Sequence, residues 1–153
     1  MANLLFVNEY GEGSFHVNLL KYAADVLTSM GHNCNFAIPF LDNNALRLIN
    51  EGYSVFQTPI LAPDLIIQQK DRGMVSLSDI IGTRGFLNED RMKTIAQIWE
   101  NELRLRKIDL VFCNFAPTII QVARKRVPVV NLGTFWDTPS ALLKEIPPFL
   151  NRE

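Results

Sequence analysis

The 153-residue chain is poor in several features from which a functional reading could start. It has two cysteines, Cys34 and Cys113, both in segments that read as strands, and no Cys/His spacing of a metal site. Buried, unreactive thiols and no bound metal are the expectation. It has no excess of either charge: 15 Lys and Arg against 16 Asp and Glu leave a net charge of −1. Neither nucleic acid nor an anionic membrane is therefore an expected partner. No apolar run approaches the ~20 residues of a membrane span. Leu4–Val7 is too short, and lacks the basic flank, for a secretory signal. The expected location is the cytoplasm. Repeats, low-complexity tracts and an interdomain linker are all missing, so the expectation is a single domain over 1–153. The Gly-Lys-Ser/Thr of a phosphate-binding P-loop does not occur. A dinucleotide fingerprint is begun and not finished. Gly11-x-Gly13 follows the first strand, but His16 occupies the place of the third glycine. Phe36-Ala37-Ile38-Pro39-Phe40 also lacks the acid that would bind a ribose hydroxyl. No dinucleotide cofactor is expected.

What the chain does have is regular alternation of short apolar runs with helical periodicity. Asn3–Asn8 reads as a buried strand ending at a glycine turn. Val17, Leu20, Ala24, Leu27 and Met30 recur at helical spacing, with Ser14 as the candidate cap and Gly31 in the C′ position. Cys34–Ile38 and Tyr53–Gln57 read as strands, separated by a helix that Asp42-Asn43-Asn44 caps and that runs through Ile49. Residues 60–74 read as a loop with some helical content, followed by a short helix from Ser76 or Ser78 to Ile81. Asn88 to Arg106 is the strongest helix, with Met92, Ile95, Ile98, Trp99 and Leu103 on one stripe. Asp109–Cys113 is a strand, Pro117 to Lys125 a helix, Pro128–Leu132 a strand, and the proline-bearing tail from Gly133 is extended over the surface. Strands alternating with helices imply right-handed crossovers. The expected fold is a Rossmann-like, three-layer αβα arrangement around a mostly parallel sheet of at least five strands. The turns around Gly11–His16 and Asn114–Thr118 would then meet at the carboxyl edge, where such folds hold ligands.

His16 is the residue with most chemistry. On the first turn of a helix that follows a strand, its imidazole either exchanges a proton with a bound ligand or simply hydrogen-bonds the preceding loop. Asn114, at the tip of the fourth strand, reads as a strand-end residue that caps the turn into Pro117. Gly13, Ser14 and Phe15 line the same edge; for Ser14 the plain alternative is a helix cap, for Phe15 a core aromatic. Phe135 and Trp136 follow the last strand, as an aromatic face for an apolar ligand, or as packing. Trp99 reads as core. The basic groups Arg104, Arg106, Lys107 and Arg124, Lys125, Arg126 fall on helix ends, where they complement the dipole.

The run His16-Val17-Asn18-Leu19-Leu20, then Ala23-Ala24, Leu27 and Gly31-His32, resembles the start of a GT-B glycosyltransferase of the UDP-glycosyltransferase-like bacterial subgroup. Such enzymes often read G-H-[IV]-N-P-L, then a helix, then G-H-x-[VC]-x-F. Phe15 stands in place of the usual glycine, and Leu19 in place of proline or arginine. Glu51-Gly52-Tyr53, Ser78-Asp79-Ile80-Ile81 with Gly85-Phe86, and Trp99 continue the resemblance. So do the run from Asp109 through Asn114 to Thr118, similar to "P-D-L-V-V-x-D-x-A-P", then Val127-Pro128-Val129-Val130 and Pro147-Pro148-Phe149. The resemblance spans nearly the whole chain and matches only the amino-terminal half of such an enzyme. It implies a Rossmann-like domain that binds a small-molecule acceptor, with the nucleotide-sugar bound by a carboxyl-terminal domain not in this sequence. It further implies that His16 is the general base of an inverting transfer. Asn114 then stands where many relatives carry the aspartate that supports the base. An amide orients an imidazole without stabilising its cation, and Glu12 or Asp137 are the other acids considered for that role. Activity is expected only with a donor-binding domain from another chain or further residues, and self-association through the exposed interface is a second expectation. The rival reading is a non-catalytic α/β binding or scaffolding module that meets a partner protein.

Overall fold

The computed structural model describes residues 1–11, 13–61 and 81–132. The expectations for the 60–74 loop, the short helix before Ile81 and the tail from Gly133 fall largely or wholly outside them. The order is β1 (Asn3–Val7), α1 (Ser14–Ser29), β2 (Asn33–Ile38), α2 (Asn43–Asn50) and β3 (Ser54–Gln57). A short helical turn (Gly82–Phe86) then leads to α3 (Glu89–Leu105), β4 (Leu110–Cys113), α4 (Pro117–Ala123) and β5 (Val129–Asn131). The five strands form one sheet in the order β3-β2-β1-β4-β5, and every pairing is parallel.

The central strand explains the layering. Leu4, Leu5, Phe6 and Val7 are all buried, as both faces of a parallel sheet are covered. Their side chains alternate. Leu4 and Phe6 meet Val17, Leu20 and Ala24 of α1 and Ala45 and Leu48 of α2. Leu5 and Val7 meet Ile95, Trp99 and Leu103 of α3 and Ile119 and Ala123 of α4. Each Val, Leu, Ile or Phe among them contributes about 1.5–3 kcal/mol by leaving water. Phe6 also bridges three strands, stacking on Phe36 at 5.2 Å and on Phe112 at 4.7 Å between ring centroids. Cys34 and Cys113 are free and buried; burial pushes the Cys113 thiol far up from its ordinary range.

Local chemistry sets the helix ends. Asp42 accepts hydrogen bonds from the backbone N–H groups of Asn44 and Ala45, and Asn88 accepts one from Arg91. On α3, Ile95, Trp99 and Leu103 are buried, but Ile98, placed on the same stripe from sequence, is exposed. The apolar stripe is thus narrower than its periodicity suggests. Met30 likewise lies exposed past the end of α1.

Candidate functional site

Connections leave β1 on both sides: toward β2 and β3 in one direction, toward β4 and β5 in the other. The carboxyl ends of β1 and β4 therefore form the topological switch point of the sheet, the crevice where such folds hold ligands. Two loops meet there. The backbone N–H groups of Glu9 and Tyr10 both donate to the Phe115 carbonyl at 3.2 Å. Phe115 takes φ +50°, a left-handed conformation uncommon for a bulky residue, and so turns that carbonyl toward the β1 loop. Asn8, fully buried, closes the β1 loop on itself. Its amide donates to the Gly11 carbonyl and accepts from the Gly11 N–H, each at 2.8 Å.

Both glycines of the turn have identifiable work. Gly13 is the N-cap of α1 with φ +79° and ψ 179°, a region essentially restricted to glycine. Ser14 is the first helical residue, and no side chain caps this end, which corrects its assignment as cap. Gly11 is buried against His16. A Cβ there would stand 2.5 Å from the ring Cδ2 and 2.7 Å from Nδ1. The glycine turn is therefore a seat for the imidazole, where a dinucleotide fold would use it to admit a phosphate.

The imidazole faces Asn114, with Nδ1 2.5 Å from Oδ1. The Asn114 Nδ2 donates to the Leu132 carbonyl at 2.5 Å. A backbone carbonyl can only accept, so the amide orientation is fixed with Oδ1 toward His16. Oδ1 can only accept as well, so Nδ1 carries the ring proton in the neutral form. That leaves Nε2 with its lone pair, and among the described residues nothing donates to it. Asn114 is fully buried, while His16 is half-buried. Asn114 does not cap α4, whose N-cap is Ala116 with no side-chain bond of its own. Two aromatic rings flank the imidazole, Phe15 edge-on at 5.5 Å and Phe115 tilted at 6.2 Å. Phe15 is 60% exposed, so it is rim and not core. Gly13 and Ser14 are exposed beside it. Phe135, Trp136, Glu12 and Asp137 lie outside the described residues.

The residue that sequence reasoning missed is Glu9. It is buried at the end of β1 and caps α4 from 109 residues away. Its carboxylate accepts from the N–H of Thr118 at 2.8 Å, from the N–H of Ile119 at 2.9 Å, and from the Thr118 hydroxyl. That hydroxyl in turn accepts from Trp99 Nε1 at 2.8 Å. Burial pushes the Glu9 carboxyl up to about 7, against the opposing pull of the Thr118 and Ile119 hydrogen bonds. The signal in the sequence is a negative one. Pro117 marks a helix start, yet the residue before it is Ala116, so the cap had to come from elsewhere.

Two shallow grooves, of about 430 and 610 Å³, lie along α3 and α4 and are lined mainly by long polar side chains such as Gln97, Glu100, Arg104 and Arg126. His16 and Asn114 line neither, and two ion pairs cross them, Arg126–Glu100 at 2.7 Å and Lys93–Glu89 at 2.8 Å. Among the described residues, no three His, Cys, Asp or Glu side chains are grouped to hold a metal. No described helix is long and apolar enough to cross a membrane.

No family model and no curated protein matches the chain. Solved structures do. MurG from Acinetobacter baumannii superposes with a TM-score of 0.56 at 13% identity, over 86% of this chain and 35% of that one. CalG4, the calicheamicin glycosyltransferase, superposes with a TM-score of 0.51 at 18% identity, over 85% of this chain and 32% of that one. The chain thus spans about a third of the length of either neighbour. At such identities the likeness is one of fold: a five-stranded, Rossmann-like α/β unit that superposes on about a third of each of these glycosyltransferase-fold chains.

Proposed function

We propose that this chain is the acceptor-binding half of an inverting glycosyltransferase of GT-B architecture, in which His16 is the general base. The observation that carries the reading is the seating of His16 against Asn114 at the switch point, with Nε2 as the ring nitrogen left to take a proton. An acceptor hydroxyl would give its proton to Nε2 while its oxygen attacks the anomeric carbon of a nucleotide-sugar, and the nucleotide diphosphate leaves from the opposite face. Positioned proton removal of this kind is worth roughly 10²–10⁴ in rate. Asn114 acts on the imidazole, fixing its tautomer and direction. Gly13, Ser14 and Phe15, with Phe135 and Trp136, are the proposed acceptor contacts. The scheme uses no metal or redox cofactor, and is set in the cytoplasm. The donor belongs to a second Rossmann-like domain, from another chain or from further residues. These 153 residues alone would bind an acceptor and transfer nothing.

The test supplies a candidate donor-binding half with UDP- or dTDP-sugar and compares the native chain with His16→Ala. A fall in turnover of about 10²-fold or more is expected; equal turnover removes the base assignment. The second reading, a scaffolding module, draws on the exposed apolar side chains Phe15, Tyr22 and Val26 along α1 and Met30 just past its end. It expects no acceptor at His16 and a protein bound to α1.

A further inference from the structure

Resting on the base role of His16 just given, we infer that the acceptor is an aromatic hydroxyl, a phenol, and not an alkyl alcohol. Two independent observations lead there, one electrostatic and one of shape.

The first is the charge of the dyad. Asn114 is neutral, and its amide is fully used: Oδ1 on His16, Nδ2 on the Leu132 carbonyl. The nearest buried carboxylate along the two loops, Glu9, is turned to Thr118 and Ile119. Among the described residues, no carboxylate hydrogen-bonds or pairs with the imidazole. When a proton arrives at Nε2 the resulting cation therefore has, among the described residues, no counter-charge in contact with it. A base of that kind works best on a hydroxyl already inclined to lose its proton. A phenol, like a tyrosine side chain, ionises near ~10. An alkyl alcohol lies closer to water, at ~16. Among the described residues only the neutral Asn114 amide is there to make up that difference.

The second is the rim. Phe15 is 60% exposed and lies edge-on to the imidazole at 5.5 Å, and Phe115 lies tilted to it at 6.2 Å. A polyol acceptor needs convergent hydrogen-bonding groups. A flat ring needs aromatic edges and faces close by, and two such rings stand beside the imidazole. In the step itself the phenol O–H bond breaks and its proton goes to Nε2. The oxygen forms a bond to the anomeric carbon, and the bond from that carbon to the diphosphate oxygen breaks. The electron pair leaves on the nucleoside diphosphate, and the imidazolium proton then passes to water.

The 153-residue chain can be tested without a donor. Its His16 side-chain nitrogens are followed by NMR during titration with phenols of graded acidity, each held below its own pKa, and with cyclohexanol as the shape-matched alcohol. The expected result is a shift at Nε2, phenols binding about tenfold tighter than cyclohexanol, and affinity rising with phenol acidity. Phe15→Ala, at an exposed position, should weaken every phenol severalfold. His16→Ala should abolish the dependence on acidity. Phenols and cyclohexanol shifting Nε2 with equal affinity would overturn the phenol assignment while leaving His16 as an acceptor-facing base. No shift from either series would overturn the base reading and this inference together.

Discussion

Gly11 and His16 are paired by volume. Five residues apart in the chain, they are complementary because the imidazole lies where a side chain on Gly11 would have to go. Gly11→Ala is expected to expel the ring from Asn114 and to cost ~1–3 kcal/mol in stability. A denaturation midpoint and the loss of a protected Nδ1–H signal from His16 would register both. At Asn114 the choice of amide over acid is balanced in another way. A carboxylate there would stabilise an imidazolium, but would set an anionic oxygen against the Leu132 carbonyl in place of a donated hydrogen bond. Asn114→Asp should therefore lose ~1–3 kcal/mol of stability. In the reconstituted enzyme it should extend turnover toward alkyl alcohols. Unchanged stability would mean that the Leu132 carbonyl does not hold the amide.

At the scale of elements, α4 is the instructive case. It is seven residues long, starts at a proline, and has no local cap. Glu9 supplies one from the loop after β1, and Trp99 of α3 completes the network through Thr118. Three elements are thereby locked beneath the site. The Glu9 carboxyl is raised from 4.5 to about 7 in the folded chain. Between those values the unfolded chain has released a proton that the folded chain retains, so stability falls as pH rises. The contribution is fully present below 4.5, is lost through about 7, and amounts to about 3 kcal/mol. Glu9→Gln should flatten this dependence. It should also cost ~1–3 kcal/mol at acid pH, because one side of the amide cannot accept from Thr118 or Ile119. Urea midpoints across that pH range would show it; a parallel fall in the variant would assign the dependence to another group. The strands and helices themselves were legible from apolar runs, caps and glycines, because these signals are local. Glu9 was not, since a cap delivered across 109 residues leaves no periodicity to read. Nor was the exposure of Ile98, because helical spacing gives the direction of a stripe and not its width.

For the molecule as a whole, the alternation of elements was enough to anticipate a parallel sheet, and the tips of the first and fourth strands do meet. The meeting of His16 and Asn114, 98 residues apart, follows from that topology. The Leu132 carbonyl, which decides the orientation of the amide, could not be anticipated, since backbone acceptors look alike in sequence. The Rossmann-like fold supplies the frame, and what the frame presents is one imidazole with an assigned direction. The most direct measurement is the tautomer of His16 in the free chain, read from its two side-chain nitrogen shifts and their couplings to ring protons above the pH at which the ring is charged. Protonated Nδ1 with a bare, pyridine-like Nε2 is the expected result. A proton on Nε2, with Nδ1 bare against Asn114, would contradict the proposed base outright.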